Sequence, residues 1–251
     1  MGALALGPFG AALGAFIGHQ FDSGVGGTVF GGGDASPARV NELFFPTTFR
    51  VMGHIAKADG HVSEREIASA RAVMQALHLN AEQVRTAIAY FYEGKQSGFD
   101  LDRALQPLRL AIAPYPDLGR FFVEIQLQAA LAGNGLSEMP RARLRRAALL
   151  LGLSAADFAR LEGVLRWNEQ SARAANASGD ERLAHAYGVL EAAPSMSDTE
   201  ITKAYRRQMS RHHPDKLKAN GLPDSMLERA KERTQQIRAA YELICATRGL
   251  A

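Results

Sequence analysis

The stretch Ser197–Lys216, SDTEITKAYRRQMSRHHPDK, decides the fold of the C-terminal part of the chain. It opens with a capping box, in which the Ser197 hydroxyl and the Glu200 carboxylate satisfy free N–H groups at a helix start. Pro214 ends the helix, because proline has no N–H and disfavours a helical backbone in the residue before it. The pattern therefore predicts a helix over Asp198–His212.

The side chains of this helix fall into two groups. The apolar ones recur at helical spacing on one stripe, namely Ile201, Ala204, Tyr205 and Met209. The basic ones lie three and four residues apart and form a continuous cationic surface, namely Lys203, Arg206, Arg207 and Arg211. A second helix is predicted over Met226–Thr247, with one apolar side made of Ala230, Ile237, Ala240, Tyr241 and Ile244. We therefore expect an antiparallel helical hairpin with the tripeptide His213-Pro214-Asp215 between its helices.

The hairpin resembles a J domain of the DnaJ type over Ala184–Arg248. Four blocks carry the resemblance in order: Ala186–Leu190 (AYGVL), Ala204–Arg207 (AYRR), His213–Lys216 (HPDK) and Ala239–Ile244 (AAYELI). The stretch His212–Pro223 is similar in particular to the DjlA subfamily of membrane-anchored co-chaperones. The resemblance covers the last quarter of the chain and is specific, because the blocks also have the expected spacings.

The resemblance implies a partner and a mechanism. The partner is a DnaK-type heat-shock chaperone, whose ATP hydrolysis a J domain stimulates. The basic residues Lys203, Arg206, Arg207 and Arg211, together with Lys216, would bind an acidic surface of that partner, and salt should weaken the attraction. The tripeptide would act on the partner's nucleotide domain: Pro214 holds the turn, Asp215 accepts a charge-assisted hydrogen bond, and His213 supports the loop.

Catalytic and nucleic-acid functions find little support in the sequence. The neighbouring His212 and His213 point in different directions, and no cysteine or second histidine cluster lies near them to complete a zinc site. No serine or cysteine stands in a nucleophile motif. The formal net charge of +3 is mild, and Tyr205 lies on the apolar stripe rather than between basic residues. We therefore expect neither an enzyme nor a nucleic-acid binder, and no cofactor.

The chain has 251 residues and one cysteine, Cys245. A disulfide within the chain is therefore impossible, which fits a reducing compartment. A single cysteine also excludes the paired-cysteine zinc region of the longer DnaJ proteins. Hydrophobic residues make up 47% of the chain and charged residues 22%, a balance typical of globular domains.

The N-terminal segment has no charged residue before Asp22. A bilayer span needs about 20 apolar residues, and Gly2–Phe21 just reaches that length. A Gly-rich soluble tail is the alternative, whereas a secretory signal would need a basic start that is absent here. The segment Leu13–Asp22 is similar to the end of the DjlA anchor. We predict a membrane anchor over residues 1–21 and a Gly-rich tether over residues 22–39.

Two features indicate how the anchor is arranged. Gly10, Gly14 and Gly18 form a GxxxGxxxG row, a pattern that lets two membrane helices approach closely and that predicts a homodimer. Glycine abundance alone would also produce such a row. Basic residues begin only at Arg39, so the positive-inside rule places the following domains in the cytoplasm. We expect a single-pass protein of the bacterial inner membrane with a periplasmic N-terminus.

The middle of the chain, residues 40–167, is helical by periodicity and contains an internal repeat. Ala58–Glu64 (ADGHVSE) aligns with Ala132–Glu138 (AGNGLSE) at an offset of 74 residues, from 58 to 132. Leu77–Ala81 aligns with Leu151–Ala155 at the same offset. Two such units would bury their aromatic residues in one helical core, namely Phe44, Phe49, Phe91, Phe121, Phe122 and Phe158.

The stretch Ala58–Glu66 resembles the TerB-like domain, named for tellurite resistance. Asp59, Ser63 and Glu66 offer oxygen ligands around a turn, but a glycine C-cap and a capped helix explain the same residues without a metal. The alternative function is therefore a membrane-tethered metal or envelope-stress sensor built on this domain. The polar segment 168–182 is predicted as a linker, and the J domain as residues 183–251.

Overall fold

The computed structural model describes residues 35–58, 64–132, 136–173 and 179–250. These residues form eleven helices and no strand, which confirms the all-α fold class. The helices are α1 Pro37–Ala56, α2 Glu64–Ala76, α3 Ala81–Gly94, α4 Leu101–Ile112, α5 Pro116–Ala132, α6 Glu138–Leu150, α7 Ala155–Arg173, α8 Gly179–Val189, α9 Asp198–His212, α10 Pro214–Ala219 and α11 Asp224–Arg248. We call α1–α7 the bundle and α8–α11 the J hairpin.

Helix α5 lies at the centre of the bundle. Twelve of its 17 residues are buried, so it contacts protein on nearly every side. The six phenylalanines predicted for the core are all buried: Phe44, Phe49, Phe91, Phe121, Phe122 and Phe158. Helices α1 and α3 approach closely through two glycines: a Cβ on Gly53 would lie 2.0 Å from the Phe91 carbonyl oxygen, and one on Gly94 would lie 1.8 Å from that of Arg50.

The internal repeat is visible in the helix boundaries. Helices α2 and α6 begin at residues 64 and 138, and α3 and α7 begin at residues 81 and 155, both 74 residues apart. His78 and Gly152 occupy equivalent positions after α2 and α6, with φ angles of +49° and +89°. The repeat therefore extends to the left-handed residue that ends each helix.

The J hairpin has the predicted capping box and its own small core. The Ser197 hydroxyl accepts a hydrogen bond from Glu200 N–H, and Glu200 bonds back to Ser197 N–H. The core contains Ala186, Tyr187, Val189, Leu190, Ile201, Ile237, Ala240 and Ile244. Tyr205 stacks on Tyr241 with ring centroids 4.2 Å apart.

Two details of the J hairpin differ from the sequence prediction. Ala230, predicted to pack on the Ile201 stripe, lies instead in the hydrophobic core of the bundle, because the first turns of α11 contact the bundle. Pro214 also does more than end α9: it is the first residue of α10, where its missing N–H costs no hydrogen bond.

The predicted anchor, its glycines Gly10, Gly14 and Gly18, and most of the tether lie outside the described residues. No helix among the described residues is long and apolar enough to cross a membrane. The predicted linker, residues 168–182, includes the end of α7 and the start of α8.

Candidate functional site

The His-Pro-Asp turn joins α9 to α10. His213 has an extended backbone, with φ −62° and ψ +121°, and Pro214 follows as the first residue of α10. The His213 carbonyl oxygen accepts a hydrogen bond of 3.0 Å from Leu217 N–H. His213 and Asp215 are exposed, whereas Leu217 is fully buried. The turn therefore presents its imidazole and carboxylate to solvent from a backbone fixed on both sides.

An open groove of about 300 Å³ lies beside the turn. One side is formed by the end of α9 and the turn, and the other by α11. Its lining residues are Met209, His213, Pro214, Lys231, Thr234, Gln235 and Arg238. Two of the seven are cationic, so the groove extends the positive character of α9 towards α11.

The basic residues predicted for partner binding fall into two groups. Lys203, Arg206 and Arg207 are exposed on α9. Arg211 lies in the last turn of α9, where its Nη1 is 3.6 Å from Oε2 of Glu191. Burial, together with the nearby Arg120, lowers the pKa of Arg211. Lys216 donates to Asp117 of the bundle over 2.7 Å. Four of the five cations are thus exposed, and two of the five, Arg211 and Lys216, have a carboxylate partner within this chain.

Glu124 of the bundle inserts a buried carboxylate beneath the turn. Only 3% of the residue is exposed. Its Oε1 lies 3.0 Å from Nε of Arg233 on α11, and its Oε2 lies 3.8 Å from Nδ1 of His212 on α9. Arg233 and His212 are themselves 4% and 2% exposed. One carboxylate from α5 therefore connects both long helices of the J hairpin.

The environment of these residues determines their charges. Burial lowers the pKa of His212 from 6.5 to about 4, although the carboxylate of Glu124 opposes that shift. Burial by itself raises the pKa of Glu124, but the nearby Arg233, His212, Arg229 and Arg120 outweigh it and hold that pKa below its ordinary value of 4.5. At neutral pH the ring of His212 is consequently neutral, and Arg233 is the main counter-charge of the Glu124 carboxylate.

A second buried carboxylate, that of Glu191, belongs to the J hairpin and pairs with the bundle. It forms a salt bridge with Arg120 of α5, and only 4% of its side chain is exposed. Its φ of +52° lies in the left-handed region. Three of the four other left-handed positions among the described residues are held by Gly152, Gly221 and Gly249, and the fourth by His78. A residue with a Cβ costs about 1–2 kcal/mol there. A glutamate at this position is explained by what its side chain binds.

Apolar contacts surround the buried charges. Leu217, Leu222, Met226 and Ala230 of the J hairpin belong to the hydrophobic core of the bundle. A Cβ on Gly221 would lie 2.1 Å from the Pro37 carbonyl oxygen at the start of α1. Arg229 donates to Gln128 of α5 over 3.1 Å. The J hairpin and the bundle thus share one packed interface.

No pattern in the sequence predicts this interface. His212 is considered there only as a zinc ligand without support, and no role is predicted for Arg120, Glu124, Glu191 or Arg233. A signal was present: Arg120 and Glu124 are the charged residues in the otherwise apolar stretch Leu118–Ile125, and charged residues in such a stretch are rarely buried unless paired.

The metal hypothesis gains no support from the described residues, which contain no group of three or more His, Cys, Asp or Glu side chains able to hold an ion. Asp59 and Ser63 lie outside the described residues, and so does the side chain of Glu66.

Comparisons with known proteins agree with both family resemblances. Residues 47–163 match the family model for tellurite resistance protein TerB, and residues 185–248 match the DnaJ domain. The chain is 44% identical to the co-chaperone protein DjlA of Coxiella burnetii, over all of this chain and 96% of that protein. It is 40% identical to the protein of the same name from Photobacterium profundum, over 97% of this chain and 94% of the relative. No solved structure is significantly similar.

Proposed function

This chain belongs to the DjlA family of co-chaperones, and we propose that its His-Pro-Asp turn stimulates ATP hydrolysis by a DnaK-type heat-shock chaperone. The observation that carries the proposal is the arrangement of the turn. His213 and Asp215 are exposed beside the groove, next to the cations of α9, on a backbone fixed between two helices. Solvent-facing groups on a rigid support are what a partner-binding site requires.

The turn and the basic face have separate roles in this mechanism. Lys203, Arg206 and Arg207 attract an acidic surface of the chaperone and speed the encounter. His213, Pro214 and Asp215 then bind the state of the chaperone in which hydrolysis is fast. The chain performs no covalent step of its own, and it shifts the chaperone between two conformations by binding one of them more tightly.

The test is single-turnover ATP hydrolysis by a DnaK-type chaperone in the presence of the full chain, purified in detergent. We expect the wild type to accelerate hydrolysis and the His213→Gln variant to lose the acceleration. His213 is exposed, so the variant should unfold at the same temperature as the wild type. Acceleration by His213→Gln equal to that of the wild type would refute the mechanism.

We propose in addition that residues 1–21 anchor the protein in the bacterial inner membrane, with the bundle and J hairpin in the cytoplasm. The support is the uncharged N-terminal sequence and the first basic residue at Arg39. Two copies would pair through Gly10, Gly14 and Gly18. Gly14→Leu should then reduce chemical crosslinking of the full chain in membranes, whereas unchanged crosslinking would remove the pairing from the proposal.

A further inference from the structure

We propose that the bundle positions the His-Pro-Asp turn, and that Glu124 and Arg120 of α5 are the positioning residues. This inference rests on the proposed co-chaperone function, to which the bundle contributes by positioning the turn. In the interface between the two parts, the bundle contacts the J hairpin on both sides of the turn and thereby fixes the backbone there.

The bundle and the J hairpin each supply a buried carboxylate that pairs with an arginine of the other. The bundle provides Glu124 for Arg233, and the J hairpin provides Glu191 for Arg120. A buried charge without a partner is unfavourable. Separation of the two parts would return these charges to water, whereas a shifted docking would bury Arg120, Glu124 or Arg233 without its partner. The exchange of charges therefore favours one docked arrangement.

The docked residues flank the turn directly. His212 precedes His213 in the chain, and its ring lies 3.8 Å from the Glu124 carboxylate. Leu217 donates its N–H to the His213 carbonyl oxygen and buries its side chain in the core of the bundle. Contacts at residues 212 and 217 thus fix the turn between them, while His213 and Asp215 face outward. A shift of the interface would move the turn.

Two further observations show that the interface is specific. Glu191 adopts a left-handed backbone that glycine holds at other helix ends, and this places its carboxylate on Arg120. Gly221 allows the loop after α10 to touch the Pro37 carbonyl oxygen, where a Cβ would lie 2.1 Å away. Glu191 thus occupies a position that favours glycine, and Gly221 occupies a position with no room for a side chain. Both residues contribute to the contact between the bundle and the J hairpin.

The first part of the test measures docking without the chaperone. The variant Glu124→Gln removes the charge and keeps the size of the side chain. Its matched control is Glu162→Gln, because Glu162 is a buried glutamate whose partners Arg141 and Arg166 both lie in the bundle. We expect faster amide hydrogen exchange at Leu217 and Leu222 in Glu124→Gln than in the wild type, and unchanged exchange there in Glu162→Gln.

The second part measures the effect on the chaperone with the same full-length proteins. A misplacement of about 1 Å, even from a mutation far from the chemistry, can lower a rate about 100-fold, so we expect Glu124→Gln to lower the maximal stimulated rate of ATP hydrolysis at least about fivefold. The concentration for half-maximal stimulation should stay unchanged, because Lys203, Arg206 and Arg207 remain exposed. Glu162→Gln should behave like the wild type in both parameters.

A second variant tests the same contact without changing a charge. Gly221→Ala adds a Cβ against Pro37 and should also speed exchange at Leu217 and reduce the maximal rate. A variant with faster exchange and wild-type stimulation would overturn the positioning role, as would unchanged exchange in both Glu124→Gln and Gly221→Ala. The His213→Gln measurement separates these results from a failure of the proposed function, in which the wild type itself would not stimulate.

Discussion

The outward and inward faces of the J hairpin both carry charged side chains, but one face keeps them in water and the other buries them. Lys203, Arg206 and Arg207 are exposed on α9. Glu191 and Arg233 are buried against α5. Exposed charges act on a partner through the solvent and are screened by salt, whereas buried charges are screened much less and pair here within the chain. The comparison indicates that the outward face governs encounter with a partner and the inward face governs geometry.

The largest expected effect on stability comes from removing the inward carboxylate. Glu124→Ala leaves Arg233 buried without a counter-charge, and breaking a buried pair in this way costs about 3–5 kcal/mol. Chemical denaturation monitored by circular dichroism measures the loss. Arg207→Ala on the outward face is the control and should change the free energy of unfolding by less than about 0.5 kcal/mol. Equal effects of the two variants would contradict the distinction between the faces.

The sequence predicted the outward face and missed the inward one for a physical reason. The basic residues of α9 and the turn are close in sequence, so helical spacing and the Pro214 break are enough to place them. Arg120 and Glu191 are 71 residues apart and meet only because two separately predicted domains dock. The all-α class, the phenylalanine core and the α9 boundaries all follow from local patterns. The docking of Ala230 and Leu217 on the bundle does not.

The second effect is a pH dependence of the free energy of unfolding, which comes from His212 on the inward face. The pKa of His212 is about 4 in the folded protein and 6.5 without the fold, so the unfolded chain binds the proton more tightly. The free energy of unfolding should therefore fall as the pH drops from 6.5 to 4, by roughly 3 kcal/mol for this residue. The charges of Glu124, Arg233, Arg120 and Glu191 also act on this pKa.

Denaturation of the wild type and of His212→Gln between pH 7 and pH 4 measures this contribution. His54 adds a dependence of the same sign, because burial and Arg143 lower its pKa to about 4 as well. The difference between the two proteins therefore isolates His212. Identical slopes for the two proteins would show that the ring of His212 does not lie in a buried site.

A smaller effect is expected at Glu191. Glu191→Gly relieves a left-handed backbone that costs about 1–2 kcal/mol, but it leaves Arg120 unpaired, which costs about 3–5 kcal/mol. We expect a net loss of about 2 kcal/mol in the free energy of unfolding, measured by denaturation. Stabilisation by this variant would mean that the salt bridge to Arg120 contributes less than the backbone strain.

The most direct test of the central claim is one titration of a DnaK-type chaperone, with single-turnover ATP hydrolysis as the signal. It compares the wild-type full chain with the Arg206→Ala/Arg207→Ala double variant and with Glu124→Gln, at low and at high salt. We expect the double variant to raise the half-maximal concentration, to show a weaker salt dependence because only Lys203 remains of the three exposed cations, and to keep its maximal rate. Glu124→Gln should lower the maximal rate and keep the wild-type half-maximal concentration. If both variants changed the same parameter, the two faces would not have separate roles.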